Sequence, residues 1–187
     1  MKELLLYLGS IHPLDERLQQ FLLDHMVEME VSKKTYLLRE GHICYNIYFI
    51  QKGLVRCFYT KDEKDISSWF MKEGDVIVSV ESFFSQTVSY ENIQALEDCM
   101  IYYLSYDDLQ IAYNTFPEFN FIGRVLTEKY YKLSEQRLYS LRMQRAFEKY
   151  QYLLVNFPQL IQRVPSKYIS SYLGITEETL SRIRAMK

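Results

Sequence analysis

Val164-Pro-Ser-Lys-Tyr-Ile-Ser-Ser-Tyr-Leu-Gly-Ile-Thr-Glu-Glu-Thr-Leu-Ser-Arg-Ile-Arg-Ala-Met-Lys187 holds two short helical patterns separated by a glycine. Pro165 stands where a first helical position tolerates a missing N–H, and Ile169, Tyr172 and Leu173 follow on one face. Gly174 supplies the left-handed backbone that ends a helix. Thr176 is placed to cap the next one, with Glu177 and Glu178 at its positive end. Leu180 and Ile183 form that second helix's apolar side. Glu177, Glu178, Ser181, Arg182, Arg184 and Lys187 remain as a polar face of the kind a recognition helix turns toward base edges and phosphates. The same spacing also fits an ordinary helical hairpin packed on a domain.

The chain before it decides between these readings. With 187 residues, 48% of them hydrophobic, and only six glycines and four prolines, it has material for a real core in one or two globular domains. Cys44, Cys57 and Cys99 are odd in number and widely spaced, which fits reduced thiols in a cytoplasmic protein better than a disulfide framework. The Leu4–Leu8 run is too short to span a membrane and lacks the flanks of an export signal. The net charge of −2 conceals an asymmetry. Residues 123–187 hold twelve Lys or Arg against five Asp or Glu, whereas residues 1–122 hold ten against nineteen. A basic C-terminal part beside an acidic remainder is what contact with a polyanion requires.

Read in order, Leu14 to Met29 has the apolar spacing of an amphipathic helix at Leu18, Phe21, Leu22 and Met26. From Lys34 to Tyr106 short aromatic and β-branched runs take over. Strands are expected at Thr35–Leu38, Ile47–Gln51, Leu54–Tyr59, Ile66–Met71, Tyr90–Ala95 and Met100–Ser105. Gln51–Leu54 and Thr60–Lys64 read as hairpin connections, so the sheet should be antiparallel and rolled or sandwiched. Helical periodicity returns in Tyr106–Asn114 and, after Pro117, in a long segment that ends before a further helix at Ala146–Val155. Ile122, Leu126, Tyr130, Leu133 and Leu141 recur there as a dimer seam would, with Arg137 interrupting the stripe; such a stripe packs on its own domain or on a symmetry mate, and the mate is the favoured expectation. The expected class is α+β: an N-terminal antiparallel β-roll, a long dimerisation helix and a C-terminal helix-turn-helix.

This order resembles the Crp/Fnr family of bacterial transcription regulators. The resemblance is carried by Glu40-Gly41, Ile47–Arg56, Glu73-Gly74-Asp75, Ala95–Asp98, Arg163-Val164-Pro165, Tyr172–Thr176 and Leu180–Ile183. It implies a division into an N-terminal helix and sensory roll (1–116), a dimerisation helix (117–142) and a DNA-binding part (143–187); with the sequence ending a few residues after Arg182, no wing is expected after the recognition helix. It implies double-stranded DNA, a second copy of the chain and RNA polymerase as partners, with no membrane.

The family's base-reading positions fall on Glu177, Glu178 and Arg182. Arg182 has the chemistry to pair bidentately with guanine, and Glu178 to accept from a cytosine amino group. Many relatives are basic where this chain has Glu177, and a carboxylate there serves a helix N-terminus better than a phosphate. Ser166, Lys167, Arg184 and Lys187 suit phosphate contacts, Thr179 suits either role, and Thr176 and Ser181 flank them.

Gly74–Ala95 occupies the place of the family's cyclic-nucleotide phosphate cassette. Relatives that bind cyclic nucleotides share a Gly-Glu pair and an Arg-Ser pair, but the matching positions here hold Val78-Ser79 and Ser89-Tyr90. Without its arginine an anionic phosphate lacks its main charge-assisted bond, and valine crowds the approach glycine permits. Cyclic AMP is therefore not expected. Ser79, Glu81, Ser82, Ser89, Tyr90 and Ser134 could converge on another, unknown small effector, or satisfy one another. No cofactor is expected. His12, His25 and His42 are too scattered for a metal site, and no phosphate loop or nucleophile elbow marks an enzyme. A ligand-binding roll whose C-terminal helices mediate protein contacts only is the alternative.

Overall fold

The computed structural model describes residues 1–186, so Lys187 lies outside the described residues. Helix α1 (Lys2–Ile11) buries Leu4 and Leu8, one turn apart. Helix α2 (Glu16–His25) begins where the Asp15 carboxylate accepts the Leu18 amide at 2.7 Å, and it buries Leu18 and Leu22. The helix expected over Leu14–Met29 thus stops early. Val27–Val31 is instead strand β1, pairing antiparallel with residues 99–103, and its Val-Glu-Met-Glu-Val alternation is a strand period that the helical reading overran.

Strands β2 (Tyr36–Leu38), β3 (Asn46–Lys52), β4 (Val55–Lys61), β5 (Lys64–Met71), β6 (Val76–Ile77), β7 (Asn92–Ala95) and β8 (Cys99–Ser105) follow. They build two four-stranded sheets, β1-β8-β3-β6 and β2-β7-β4-β5, in which all pairings are antiparallel. The rolled antiparallel architecture is as the sequence predicts. Thr60–Lys64 is a hairpin, with Asp62 and Glu63 at φ 50° and 62°. Gln51–Leu54 is not, because β3 and β4 lie in different sheets. Gly53 makes that crossing at φ +105°, where a Cβ would sit 2.5 Å from Cys99 Sγ, so both the dihedral and the space demand glycine. Ile50, Val55, Ile93 and Ile101 fill the roll between the sheets. A short helix, α3 (Val80–Ser85), interrupts the segment between β6 and β7.

Ser105 caps α4 (Tyr106–Thr115) by accepting the Asp108 amide at 3.1 Å, and Pro117 opens α5 (Pro117–Met143). Gln144 and Arg145 are extended and break the helical run, and the Arg145 amide donates to the Glu148 carboxylate at 2.7 Å to start α6 (Ala146–Asn156). Helices α7 (Pro158–Arg163), α8 (Ser166–Leu173) and α9 (Glu177–Ala185) complete the chain. A second apolar cluster joins Leu54, Phe70 and Leu96 of the roll to Tyr150, Leu153, Leu160, Val164, Ile169, Leu173, Leu180 and Ile183. The C-terminal helices are therefore seated on the β2-β7-β4-β5 sheet by shared hydrophobic burial.

Candidate nucleic-acid interface and the cavity behind it

Gly174 ends α8 in the left-handed region at φ 65°, and the Ile175 amide returns to the Ser170 carbonyl at 3.0 Å, closing the last turn. Thr176 Oγ1 accepts the Thr179 amide at 3.1 Å and starts α9. Leu180 and Ile183 are buried against Ile169 and Leu173, which fixes α9 across α8. Thr176, Glu177, Glu178, Ser181 and Arg182 are exposed together, as are Ser166 and Lys167 at the N-terminus of α8, while Thr179 is half-buried. Arg184 is half-buried, and its Nη1 donates to Ser166 Oγ at 2.7 Å, bringing the end of α9 to the start of α8. The amide end of α8, Lys167 and Arg184 form one electropositive corner, the local chemistry a phosphate needs. Arg182 Nη2 reaches Thr179 Oγ1 at 3.4 Å and otherwise points outward. Lys187, expected as a phosphate contact, lies outside the described residues.

Four contacts that the sequence reading did not identify hold this helix pair to the rest. Arg163 donates to Glu73 by Nη1 and Nη2 at 2.9 Å each, and to Glu97 by Nε at 3.0 Å and Nη2 at 2.6 Å. Glu73 Oε1 also accepts the Gly53 amide at 2.9 Å, and its carboxyl is held at about 2 with the Arg163 hydrogen bond as the main cause. Arg137, the interruption in the stripe of α5, donates to the Tyr172 carbonyl and stacks over that tyrosine's ring. Lys149 is buried, and its Nζ meets the Leu141 and Leu173 carbonyls at 3.2 and 3.3 Å, serving the last turns of α5 and α8 together. Arg56 is buried between the rings of Phe58 and Tyr168, 3.8 and 3.7 Å from their centroids, and pairs with Asp65 at 2.8 Å.

The expected dimer stripe faces mostly inward. Ile122 is fully buried in the core of its own chain, and Leu126 packs against that core. The Tyr130 hydroxyl accepts the Val76 amide at 2.7 Å, and Leu133 lines a crevice with Arg137 and Tyr172. Ile122 offers a partner no surface. Leu141 alone of the five is exposed, and it falls on a different row: Thr127, Tyr131, Ser134, Leu138 and Leu141 are all exposed, at steps of four and three.

The six polar residues of the cassette reading divide in two. Ser79, Ser82 and Ser89 are buried and occupied with one another and with backbone. Ser79 and Ser89 hydroxyls lie 3.0 Å apart, Ser89 also bonds both backbone groups of Glu91 at 3.0 Å, and Ser82 joins the Cys44 amide and the Thr87 carbonyl. Glu81, Tyr90 and Ser134 instead line a cavity of about 410 Å³ between the roll and α5. Cys57, Tyr59, Trp69 and the buried Glu91 line it too, and no Lys, Arg or His does. The three cysteines are unpaired and buried, and burial pushes the Cys57 thiol well above its ordinary value. Among the described residues no group of three or more His, Cys, Asp or Glu is placed to hold a metal, and no helix is long and apolar enough to cross a membrane.

Residues 28–115 match the cyclic nucleotide-binding domain family. No curated protein matches the chain by sequence. Among solved structures, CLP, the c-di-GMP responsive global regulator of Xanthomonas campestris, superposes with a TM-score of 0.72 at 16% identity, over 91% of this chain and 90% of that one. A putative regulator of the Crp/Fnr family from Eubacterium rectale gives a TM-score of 0.72 at 16% identity, over 95% and 85%. A CooA mutant from Carboxydothermus hydrogenoformans gives 0.69 at 21% identity, over 97% and 82%. Residues 28–115 are thus similar to the cyclic nucleotide-binding domain family, and the chain as a whole shares the fold of these regulator structures.

Proposed function

We propose that this protein is a sequence-specific, DNA-binding transcription regulator whose roll senses a small molecule other than cyclic AMP. The observation that carries the reading is α9: a helix fixed by Leu180 and Ile183 from behind, with Glu178, Ser181 and Arg182 exposed in front and the Lys167–Arg184 corner beside it. Such a face fits a major groove, with Glu178 and Arg182 toward base edges and the basic corner, with Lys187, toward phosphates. In this division residues 1–116 sense, 117–142 dimerise and 143–187 bind DNA.

The dimer is assigned to the outward row Thr127, Tyr131, Ser134, Leu138 and Leu141 of α5, where Tyr131 is 65% exposed and Leu138 44%. Two such rows side by side give the coiled-coil period and two recognition helices, suited to half-sites roughly 34 Å apart. Thr127, Tyr131 and Ser134 also line the cavity, so the same helix borders the sensor and the partner. The cavity's lack of any basic side chain supports a ligand other than a cyclic phosphate. An expected role for RNA polymerase as a partner belongs to this reading.

Fluorescence anisotropy with duplex DNA across a salt series tests it. A DNA-binding protein gives a log-log line of steep negative slope, because phosphate contacts release counterions. A flat line would favour the alternative in which the C-terminal helices serve protein contacts.

A further inference from the structure

We propose that the roll cavity binds an organic cation, a compact molecule with an apolar or aromatic body and a protonated amine. Its volume of about 410 Å³ suits a small ligand, and most of its walls are aliphatic or aromatic. The formal charge on those walls is all negative. Glu81 stands at the exposed edge beside Tyr90, whose phenol it helps push up to about 12, and Glu91 is buried deeper, only 9% exposed. Tyr59 stacks on Tyr90 with centroids 5.7 Å apart, and Trp69 borders the same space.

Three ligand classes are then distinguishable by charge. An anion would meet two carboxylates and no cation in a poorly solvated space, where repulsion is weakly screened. A neutral apolar molecule would fill the walls but strip water from Glu91 without replacing it. An ammonium pairs with the carboxylates and lies against ring faces that attract it. Burial holds the Glu91 carboxyl above its ordinary value, and a cation paired with it would favour the charged form again. This inference deepens the sensor reading and rests on it, yet it is read in the absence of DNA.

The chain has one tryptophan, and it borders the cavity, so Trp69 emission reports occupancy directly. The full chain is titrated at neutral pH with phenylbutylamine, phenylbutanol and phenylbutyrate, which share a body and differ in charge. The amine should bind at least about tenfold more tightly than the alcohol, with the acid weakest, as expected for a close desolvated charge pair. Glu91→Gln should bring the amine down to the alcohol's affinity and leave the alcohol unchanged. The exposed Glu81→Gln provides the same comparison should Glu91→Gln not fold. Binding of the acid as tight as that of the amine, no saturable binding of the amine, or an amine preference intact in both variants would overturn the proposal. If the amine preference holds while duplex DNA is not bound, the regulator reading falls and the cation site stands.

Discussion

Arg163 and Glu97 lie 66 positions apart, yet their side chains meet through two hydrogen bonds, Nε–Oε1 at 3.0 Å and Nη2–Oε2 at 2.6 Å. Glu73 engages the same guanidinium from the other side, and through the Gly53 amide it ties the pair to the crossing between the two sheets. Three of the segments that carry the resemblance to the Crp/Fnr family, Glu73–Asp75, Ala95–Asp98 and Arg163–Pro165, therefore converge on one ion cluster. That cluster is one polar part of the joint between the roll and the helix-turn-helix.

Removing it should loosen the joint without unfolding the roll. Arg163→Met is expected to cost about 1–2 kcal/mol, reduced from the value of charged hydrogen bonds because all three partners are partly solvated. The cluster also has a pH signature. The Glu73 carboxyl is depressed from 4.5 to about 2 in the folded chain, so its contribution is complete above 4.5 and lost as pH falls from there toward 2. Acid unfolding followed by circular dichroism should show this loss in the parent chain and a smaller one in Arg163→Met. Equal acid sensitivity of the two would contradict the assignment.

Lys149 joins the helices to one another by different chemistry. Its ammonium serves the terminal carbonyls of both α5 and α8, so Lys149→Met keeps the apolar stem but takes that partner from two acceptors, the Leu173 carbonyl buried and the Leu141 carbonyl partly so. A loss of about 1–3 kcal/mol is expected by thermal or urea unfolding. A neutral outcome would mean that water reaches both carbonyls.

How far these features were legible depends on the length of the signal. The roll, the helix break near Gln144, the Gly174 turn and the Thr176 cap were all readable, because each rests on periodicity or on a local backbone demand. β1 was absorbed into a neighbouring helix, and β6 has only two residues, too few to show a period. The seam on α5 shows a different limit. The row Ile122, Leu126, Tyr130 and Leu133 and the outward row Thr127, Tyr131, Ser134 and Leu138 sit side by side, and one residue turns a helix by about 100°. Apolar spacing alone does not tell which row meets the roll. Arg137 read as a flaw in the stripe because its acceptor, the Tyr172 carbonyl, lies 35 positions away. Long-range partners of this kind leave no local trace.

In the proposed dimer the outward row forms the interface, so a charge placed there should split it. Leu138→Glu is expected to shift the molecular mass measured by light scattering from two chains to one while leaving the circular dichroism spectrum unchanged, because Leu138 is 44% exposed within the single chain. A parent chain that is already monomeric at micromolar concentration would contradict this use of the row.

The β4–β5 turn places two residues with side chains, Asp62 and Glu63, at positive φ. A two-residue hairpin turn of that hand favours glycine at its second position. Glu63→Gly should therefore raise stability by about 1 kcal/mol, from relief of left-handed strain at one residue. A lower thermal midpoint would show that the Glu63 side chain contributes more than its backbone conformation costs.

The central claim is that α9 reads DNA sequence, and selection of duplexes from a random library by the full chain tests it most directly. The account predicts enrichment of a two-fold symmetric site with half-sites about one helical turn apart, roughly 34 Å. Arg182→Ala should lose that preference while keeping salt-dependent binding to random duplex, and Lys167→Ala should weaken binding to every sequence alike. A library that shows no enriched sequence, or an Arg182→Ala variant that selects the same site with unchanged preference, would contradict it.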